Sequence, residues 1–337
     1  MRRLIITALF WLAAPNAVAA EEADVPPAIA DAFERVVAGD YEAARTMIAP
    51  LVEAGDPDAQ HLLGYLQENG LGGPKDLEQA IALYAKAAAA GQADAQFALG
   101  DLALSGKGVK RDLERAADWF ELAAKQGHAR AQLRLGVMYA QGLSVEQDKK
   151  RALSLFEKAA ESGEPDAQYS LGVAYLTGEN RKQDYRKAAE WFQRAAEQGH
   201  PDAQYNLALL YDSDLLGDPD PQQTVYWMTA AAQAGLPQAY VALGLLMHEG
   251  RGAVQSDAAA VDWFEKAAKA GEPQGEYLYA IALAEGVGRD RDARAALDWL
   301  ERALKTPKAF EPETLENAKS LRDALAGELE AGGALRP

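Results

Sequence analysis

The residues of this chain whose types could do chemistry are four histidines, an aspartate-rich loop and a set of glycine-rich turns. His61, His128, His200 and His248 are the candidate metal ligands or general bases. A metal ion needs ligands that converge within a few ångströms. His128 and His200 occupy the same point of a repeating pattern but lie two repeats apart, so capping or solvated histidine is expected instead. His248-Glu249-Gly250 is not followed by the second histidine of a helical zinc site. No serine begins Ser-x-x-Lys and no Gly-x-Ser-x-Gly occurs, which removes the usual serine acyl-transfer signatures. The turns Gly70-Leu71-Gly72-Gly73, Gly106-Lys107-Gly108 and Gly286-Val287-Gly288 follow helical patterns rather than strands, so they read as turns and not phosphate cradles. In the stretch 212–220, Asp212, Asp214, Asp218 and Asp220 surround Gly217 in the manner of a calcium loop. Leu216 and Gln223 stand where oxygen ligands belong, so a solvated turn is expected, with a weak calcium site as the alternative.

Composition narrows the classes further. The chain has 337 residues, a formal net charge of −17 and no cysteine. Disulfides, thiol catalysis, cysteine zinc sites and an acylated cysteine anchor are excluded. Phosphate-rich partners need Lys and Arg, so neither nucleic acid nor an anionic membrane face is expected as a partner. Residues 1–20 read as a secretory signal: Arg2 and Arg3, a short apolar run from Leu4 to Ala14, and small residues before a cleavage point near Ala19-Ala20. The apolar run is too short for a comfortable membrane span, and no other stretch is long and apolar enough. The expectation is a soluble protein exported to a bacterial periplasm, with no stable membrane insertion once the leader is removed.

The elements that must position any site come from one repeat. Gly55, Gly91, Gly127, Gly163, Gly199, Gly235 and Gly271 recur every 36 residues without an insertion. Ala-Gln pairs (Ala95-Gln96, Ala131-Gln132, Ala167-Gln168) and Leu-Gly pairs (Leu99-Gly100, Leu135-Gly136, Leu171-Gly172) recur in the same phase. A fixed period of this length marks a solenoid. Each module is predicted to hold two helices, A and B, over roughly 164–177 and 185–198 in the fourth. Glycine closes each helix, where a left-handed residue without a Cβ costs least. Proline and then aspartate open most A helices, and Asp76, Asp112, Asp148, Asp184, Asp220 and Asp292 are expected to cap the B helices. Asp76 with Gln79 has the spacing of a reciprocal capping box. Large residues on B (Trp119-Phe120, Trp191-Phe192, Trp263-Phe264) precede small ones (Ala123-Ala124, Ala195-Ala196, Ala267-Ala268), so the tryptophan stripe reads as core packing. The predicted organisation is a leader over 1–20, a linker and capping helix pair over 21–54, seven repeats over 55–306, and a capping helix with its tail over 307–337. Two loops depart from the pattern: 178–182 loses the second glycine and the valine, and 214–219 loses the opening glycine.

The run Ala-Gln-Tyr-x-Leu-Gly, Gly-x-Gly-Val-x-x-Asp, Ala-x-x-Trp-Phe-x-x-Ala-Ala-x-x-Gly resembles the Sel-1-like repeat, a relative of the tetratricopeptide repeat. Gly106-Lys107-Gly108-Val109 with Asp112, Ala116 and Trp119-Phe120 carries the resemblance most fully. It implies an all-α fold: a right-handed superhelical solenoid of antiparallel helix pairs that binds other proteins. Exported bacterial members of that family are regulators and scaffolds of sensor kinases, polysaccharide export, flagellar motors or peptidoglycan-cleaving enzymes. A cysteine-rich branch is linked to β-lactam hydrolysis, and the absence of cysteine sets this chain apart from it.

The function expected is therefore a non-catalytic protein–protein interaction scaffold or regulator in the periplasm, without cofactor or metal. A binder of cell-wall glycan or peptide is the alternative, since groove aromatics can stack on sugars; a hydrolase of the β-lactamase-like branch is the third class. By analogy with tetratricopeptide arrays, one side of helix A lines the binding groove. That places Phe97, Tyr169, Tyr205 and Tyr277 in one row, with His61, Leu133 and Val241. Asp101, Val173 and Leu209 fall in a second row four residues on, with Tyr65, Val137, Leu245 and Ile281. Asp101, Asp166, Asp202 and Asp212 border the strip, so a partner segment with apolar and basic residues is expected.

Overall fold

The computed structural model describes residues 27–179 and 181–331; the leader expected over 1–20 lies outside them. Among the described residues there are seventeen α-helices, one short 3-10 turn and no strand. The chain divides after Asp184 into two compact units. The first holds α1 (Pro27–Val37), α2 (Tyr41–Glu53), α3 (Pro57–Asn69), α4 (Leu77–Ala89), α5 (Ala93–Ser105), α6 (Leu113–Lys125), α7 (Ala129–Gln141), α8 (Lys149–Glu161) and α9 (Pro165–Thr177). The second holds α10 (Tyr185–Glu197), α11 (Pro201–Asp212), α12 (Pro221–Gln233), α13 (Pro237–Glu249), α14 (Asp257–Lys269), α15 (Pro273–Glu285), α16 (Ala293–Ala303) and α17 (Pro312–Ala331). Within each unit every helix packs on the next, as a solenoid of helix pairs requires. The first pair, α1 and α2, adds Ile29, Ala32 and Ile48 to a core that continues into α3. At the other end α17 lays Ala318 and Leu325 into the core of the last repeat.

Local chemistry sets the helix limits. Gly70, Gly106, Gly142, Gly178, Gly250 and Gly286 end the A helices in the left-handed region. The side chains of Asp40, Asp76, Asp112, Asp148, Asp220 and Asp292 accept a first-turn backbone N–H of the B helix that follows. Ser256 does the same for α14. The capping box at Asp76 is only half formed. Asp76 Oδ1 accepts from the Gln79 N–H at 2.9 Å, but Gln79 Oε1 accepts from Gln67 Nε2 at 3.2 Å. The Asp76 N–H donates to the Gln67 carbonyl instead, so the return bond has no donor left to serve.

The repeated motif residues lock one module to another. Gln96, Gln132 and Gln168 are buried, and each Nε2 donates at 3.2 Å to the carbonyl eight residues earlier, Ala88, Ala124 or Ala160, near the end of the preceding B helix. Gln204 reaches the Ala196 carbonyl in the same way at 3.0 Å. The glycine of each Leu-Gly pair makes room for a B-helix ring of its own module. A Cβ on Gly64, Gly100, Gly136 or Gly244 would fall 2.5–2.7 Å from Tyr84, Phe120, Phe156 or Phe264. Where the small residue is alanine, at Ala208 and Ala280, the residue at the same offset is Met228 or Leu300 rather than a ring, and both are fully buried.

Four of the five repeat tryptophans lie outside the deep core. Trp119, Trp191, Trp263 and Trp299 are half-buried, while the next residue, Phe120, Phe192, Phe264 or Leu300, is the buried one. The indoles lie at the surface edge of each B helix under a cation one turn on: Arg194 over Trp191 at 4.5 Å, Lys266 over Trp263 at 3.7 Å and Arg302 over Trp299 at 4.2 Å. Of each expected pair the second residue is the inner one, and in the fifth module Trp227 is buried beside Met228 as well.

Both irregular loops carry ion pairs. Arg181, where the second and third modules place Val109 and Val145, reaches back to Glu157 on α8 and stacks over Tyr175 at 3.9 Å. Arg289 is its counterpart in the last module, bonded to the Tyr279 hydroxyl at 2.6 Å and to Asp262 and Glu265. In the aspartate-rich loop, Asp212 pairs with Arg251 at 2.7 Å and Asp220 caps α12. Two of the four carboxylates considered for calcium are thus already committed.

Candidate functional site

The first unit contains a cavity of about 610 Å³ lined by residues of α1, α3, α4, α5 and α7 and by Lys107 of the turn after α5. Its position follows from the repeat. His61 and Phe97, 36 residues apart, hold the same position on successive A helices, α3 and α5, and both line the cavity. Phe33, Val36, Leu62, Leu102 and Leu104 give it apolar walls. Phe97 is its central ring: 4.8 Å from the His128 imidazole in a stacked arrangement, 5.8 Å from Phe120, with the Arg130 guanidinium 4.7 Å from its centroid.

Charges of both signs border the cavity. Glu68 accepts from the Tyr84 hydroxyl at 2.9 Å and from Lys107 Nζ at 2.7 Å. Burial, reinforced by the Glu68 charge, pushes the Tyr84 phenol far up, so it stays a donor. His128 caps α7: its Nδ1 accepts the Ala131 N–H at 3.1 Å, which leaves the proton of the neutral ring on Nε2, 3.2 Å from Asp94 Oδ1. Burial alone would raise the Asp94 carboxyl. The His128 hydrogen bond, the neighbouring His61 and His128 imidazoles and a 2.9 Å bond from Gln92 outweigh it and hold Asp94 well below the usual carboxylate range. Asp101 pairs loosely with Arg134 at 3.5 Å, and burial raises its carboxyl. His61 lies tilted against Tyr84 at 5.7 Å and makes no hydrogen bond among the described residues; burial lowers its pKa, so the ring is neutral at neutral pH.

Each acid already accepts a proton donor of the wall, and Ser105 Oγ donates at 2.8 Å to the Asp101 carbonyl of its own helix, away from any histidine. Among the described residues no three His, Asp or Glu side chains converge as metal ligands.

The predicted groove residues are distributed unevenly. Phe97 and Asp101 both line the cavity, but Phe97 is 7% exposed and serves as its floor rather than an open contact. Tyr169 and Val173 are half-buried on α9 of the first unit. In the second unit Tyr205 is half-buried and Leu209 is 42% exposed, both on α11. Tyr277 packs edge-on against Phe310 at 5.8 Å, so the turn before α17 covers it. The expected acidic border is also incomplete, since Asp101 and Asp212 are each paired with an arginine.

Sequence reasoning missed Arg130 and Arg134 as well as the His61, Asp94, His128 grouping. The signal was present as an offset. His128 and Asp94 are 34 residues apart, as are Gln92 and Asp58, which hydrogen-bond at 3.3 Å, so the cap of one A helix meets the first turn of the A helix before it.

Seven consecutive copies of the Sel1 repeat match the chain, at residues 57–92, 93–128, 129–164, 165–200, 201–236, 237–272 and 273–305. No curated protein matches it. Among solved structures, a Sel1 repeat protein from Oxalobacter formigenes is 30% identical, with a TM-score of 0.65 over 72% of this chain and 99% of that one. The protective antigen c5321 of uropathogenic Escherichia coli, which displays an SLR fold, is 23% identical, covers 92% of this chain and 87% of its own, and has a TM-score of 0.38. Yeast Tom70 is 13% identical over 98% of this chain and 73% of its own, with a TM-score of 0.41. Seven consecutive in-phase copies, four of them bonded to the preceding copy through Gln96, Gln132, Gln168 or Gln204, place the chain in the Sel1 repeat family, whose members are generally non-catalytic scaffolds for protein interaction.

Proposed function

We propose that this protein is an exported scaffold or regulator that binds a segment of a partner protein along the outward faces of its A helices. The leader-like composition of residues 1–20 supports export, and the periplasm is the compartment that fits it. The observation that carries the reading is the cavity on α3, α5 and α7. A half-apolar concavity with aromatic walls and a few fixed polar groups is what recognition of a side chain requires. Tyr65 at its edge is 41% exposed, a large apolar residue with a polar tip of the kind that dominates interface energetics. Tyr169, Val173, Tyr205 and Leu209 offer further contacts on the A helices of their own units.

The test is affinity capture from periplasmic extract with wild type and with Tyr65→Ala/Asp101→Ala. Neither residue is in the buried core, so helicity and melting should hold while capture of the specific partner falls by about 2 kcal/mol or more, the scale of a hot spot. Undiminished capture by a folded double variant would contradict the reading.

A further inference from the structure

The seven A helices carry only two Lys or Arg residues between them, Arg130 and Arg134, and both are on α7. Both line the cavity. The position of Arg130 is aspartate in four other modules, as Asp58, Asp94, Asp166 and Asp202. An acid there favours the positive end of the helix dipole, and an arginine opposes it. Arg130 is therefore placed against the local preference of its own helix.

Its surroundings do not explain it. Arg134 has Asp101 and Lys107 has Glu68, but Arg130 forms no ion pair among the described residues. Asp101 and Glu164 feel its charge without bonding to it. Its guanidinium carbon lies 4.7 Å from the Phe97 ring centroid, a contact that uses the face of the cation and takes up none of its N–H donors. The remaining acids of the wall are already occupied: Glu68 by Tyr84 and Lys107, Asp94 by His128 and Gln92.

We infer that the cavity takes a carboxylate joined to an apolar group, with the carboxylate on Arg130 and the apolar group against Phe33, Val36 and Leu62. This rests on the proposed binding of a partner segment and names its chemistry. It reverses the basic partner expected from the acidic border. A planar monoanion matches one guanidinium edge with two parallel hydrogen bonds. A phosphate dianion would bring twice the charge toward Glu68, Asp94 and Asp101 in a chain of net charge −17. The carboxylate can come from the end of a chain or from an acidic side chain beside an apolar one.

The probes are N-acetyl-phenylalanine, N-acetyl-aspartyl-phenylalanine amide and N-acetyl-phenylalanine amide, titrated into the full chain by calorimetry with inorganic phosphate as a fourth ligand. At least one acid should bind about tenfold or more tightly than the uncharged amide, and which acid does so identifies the source of the carboxylate. Arg130→Asp restores the residue of the other modules and suits the helix dipole, so it should fold as well as wild type and lose that preference. Arg251→Gln, in the second unit, should keep it. Equal binding of acids and amide, no saturable binding of any probe, tighter binding of phosphate, or a preference that survives Arg130→Asp would each overturn the inference. If Arg130→Asp leaves partner capture intact while Tyr65→Ala/Asp101→Ala abolishes it, the carboxylate assignment fails and the binding face stands.

Discussion

Replacing Gly136 with alanine tests the packing rule that sets the module. A Cβ at Gly136 would lie 2.7 Å from Phe156 Cε1, 2.9 Å from Cδ1 and 3.3 Å from the Ala152 carbonyl oxygen. Carbon atoms in contact prefer separations of about 3.5–4.0 Å, so ring and helix must part by about 1 Å. Overpacking of this size costs about 1–3 kcal/mol. Against it, alanine gains about 1 kcal/mol of helix propensity over glycine. The net expectation is a loss of about 1 kcal/mol. Phe156→Leu alone removes ring atoms and leaves a gap beside the glycine, costing about 1–2 kcal/mol. The double variant recreates the Ala280/Leu300 pairing of the last module, so it should recover most of both losses, with a coupling of at least about 1 kcal/mol. Urea unfolding followed by circular dichroism reads the cost. Hydrogen exchange at the amides of α7 and α8 localises it, which matters because repeat arrays need not unfold as one unit. Strictly additive losses would mean that the glycine and the ring do not share one space, and the rule would be wrong.

Three other outcomes follow from the same structure. Gln96→Leu removes a donor to the Ala88 carbonyl and the acceptor of Gln126 Nε2 at 2.8 Å, so thermal melting should show a loss of about 1–3 kcal/mol, and an unchanged melt would mean that these bonds are not net stabilising. Burial depresses the His61 pKa, so between that value and the ordinary 6.5 the unfolded chain binds more protons than the folded one. The stability His61 confers is complete above pH about 6.5 and is lost as pH falls through its folded pKa, so His61→Gln should flatten the decline in melting temperature on that acid side. Intact-mass measurement of periplasmic material should find the chain beginning at Ala20 or Glu21, and a full-length mass would contradict export with cleavage.

Fold was legible because the repeat is a statement about backbone. Gly70, Gly106 and Asp112 declare their roles through conformations and caps that need nothing beyond neighbouring residues. The core register was less legible: Trp119-Phe120 offers two large residues in succession, and only packing against Gly100 decides that Phe120 is the inner one. The site was half visible. Phe97 and Asp101 could be placed by phase alone, but the contact of Tyr277 with Phe310 involves a residue outside the repeat. The His128–Asp94 contact depends on how successive modules stack, a spacing the period contains but does not announce. Arg130 was visible as a break in the aspartate series, yet its meaning came only with the cavity it borders.

The proposed binding on the A-helix face at the cavity, rather than on the exposed B-helix surface, is open to a direct test. A photo-crosslinking residue at Tyr65, on the cavity edge, and another at Tyr226, 62% exposed on helix B of the fifth module, separate the two faces in one experiment. Binding at the cavity should give a discrete crosslinked partner from position 65, competed by the unlabelled protein, and none from position 226. A discrete product from position 226 with none from position 65 would contradict it.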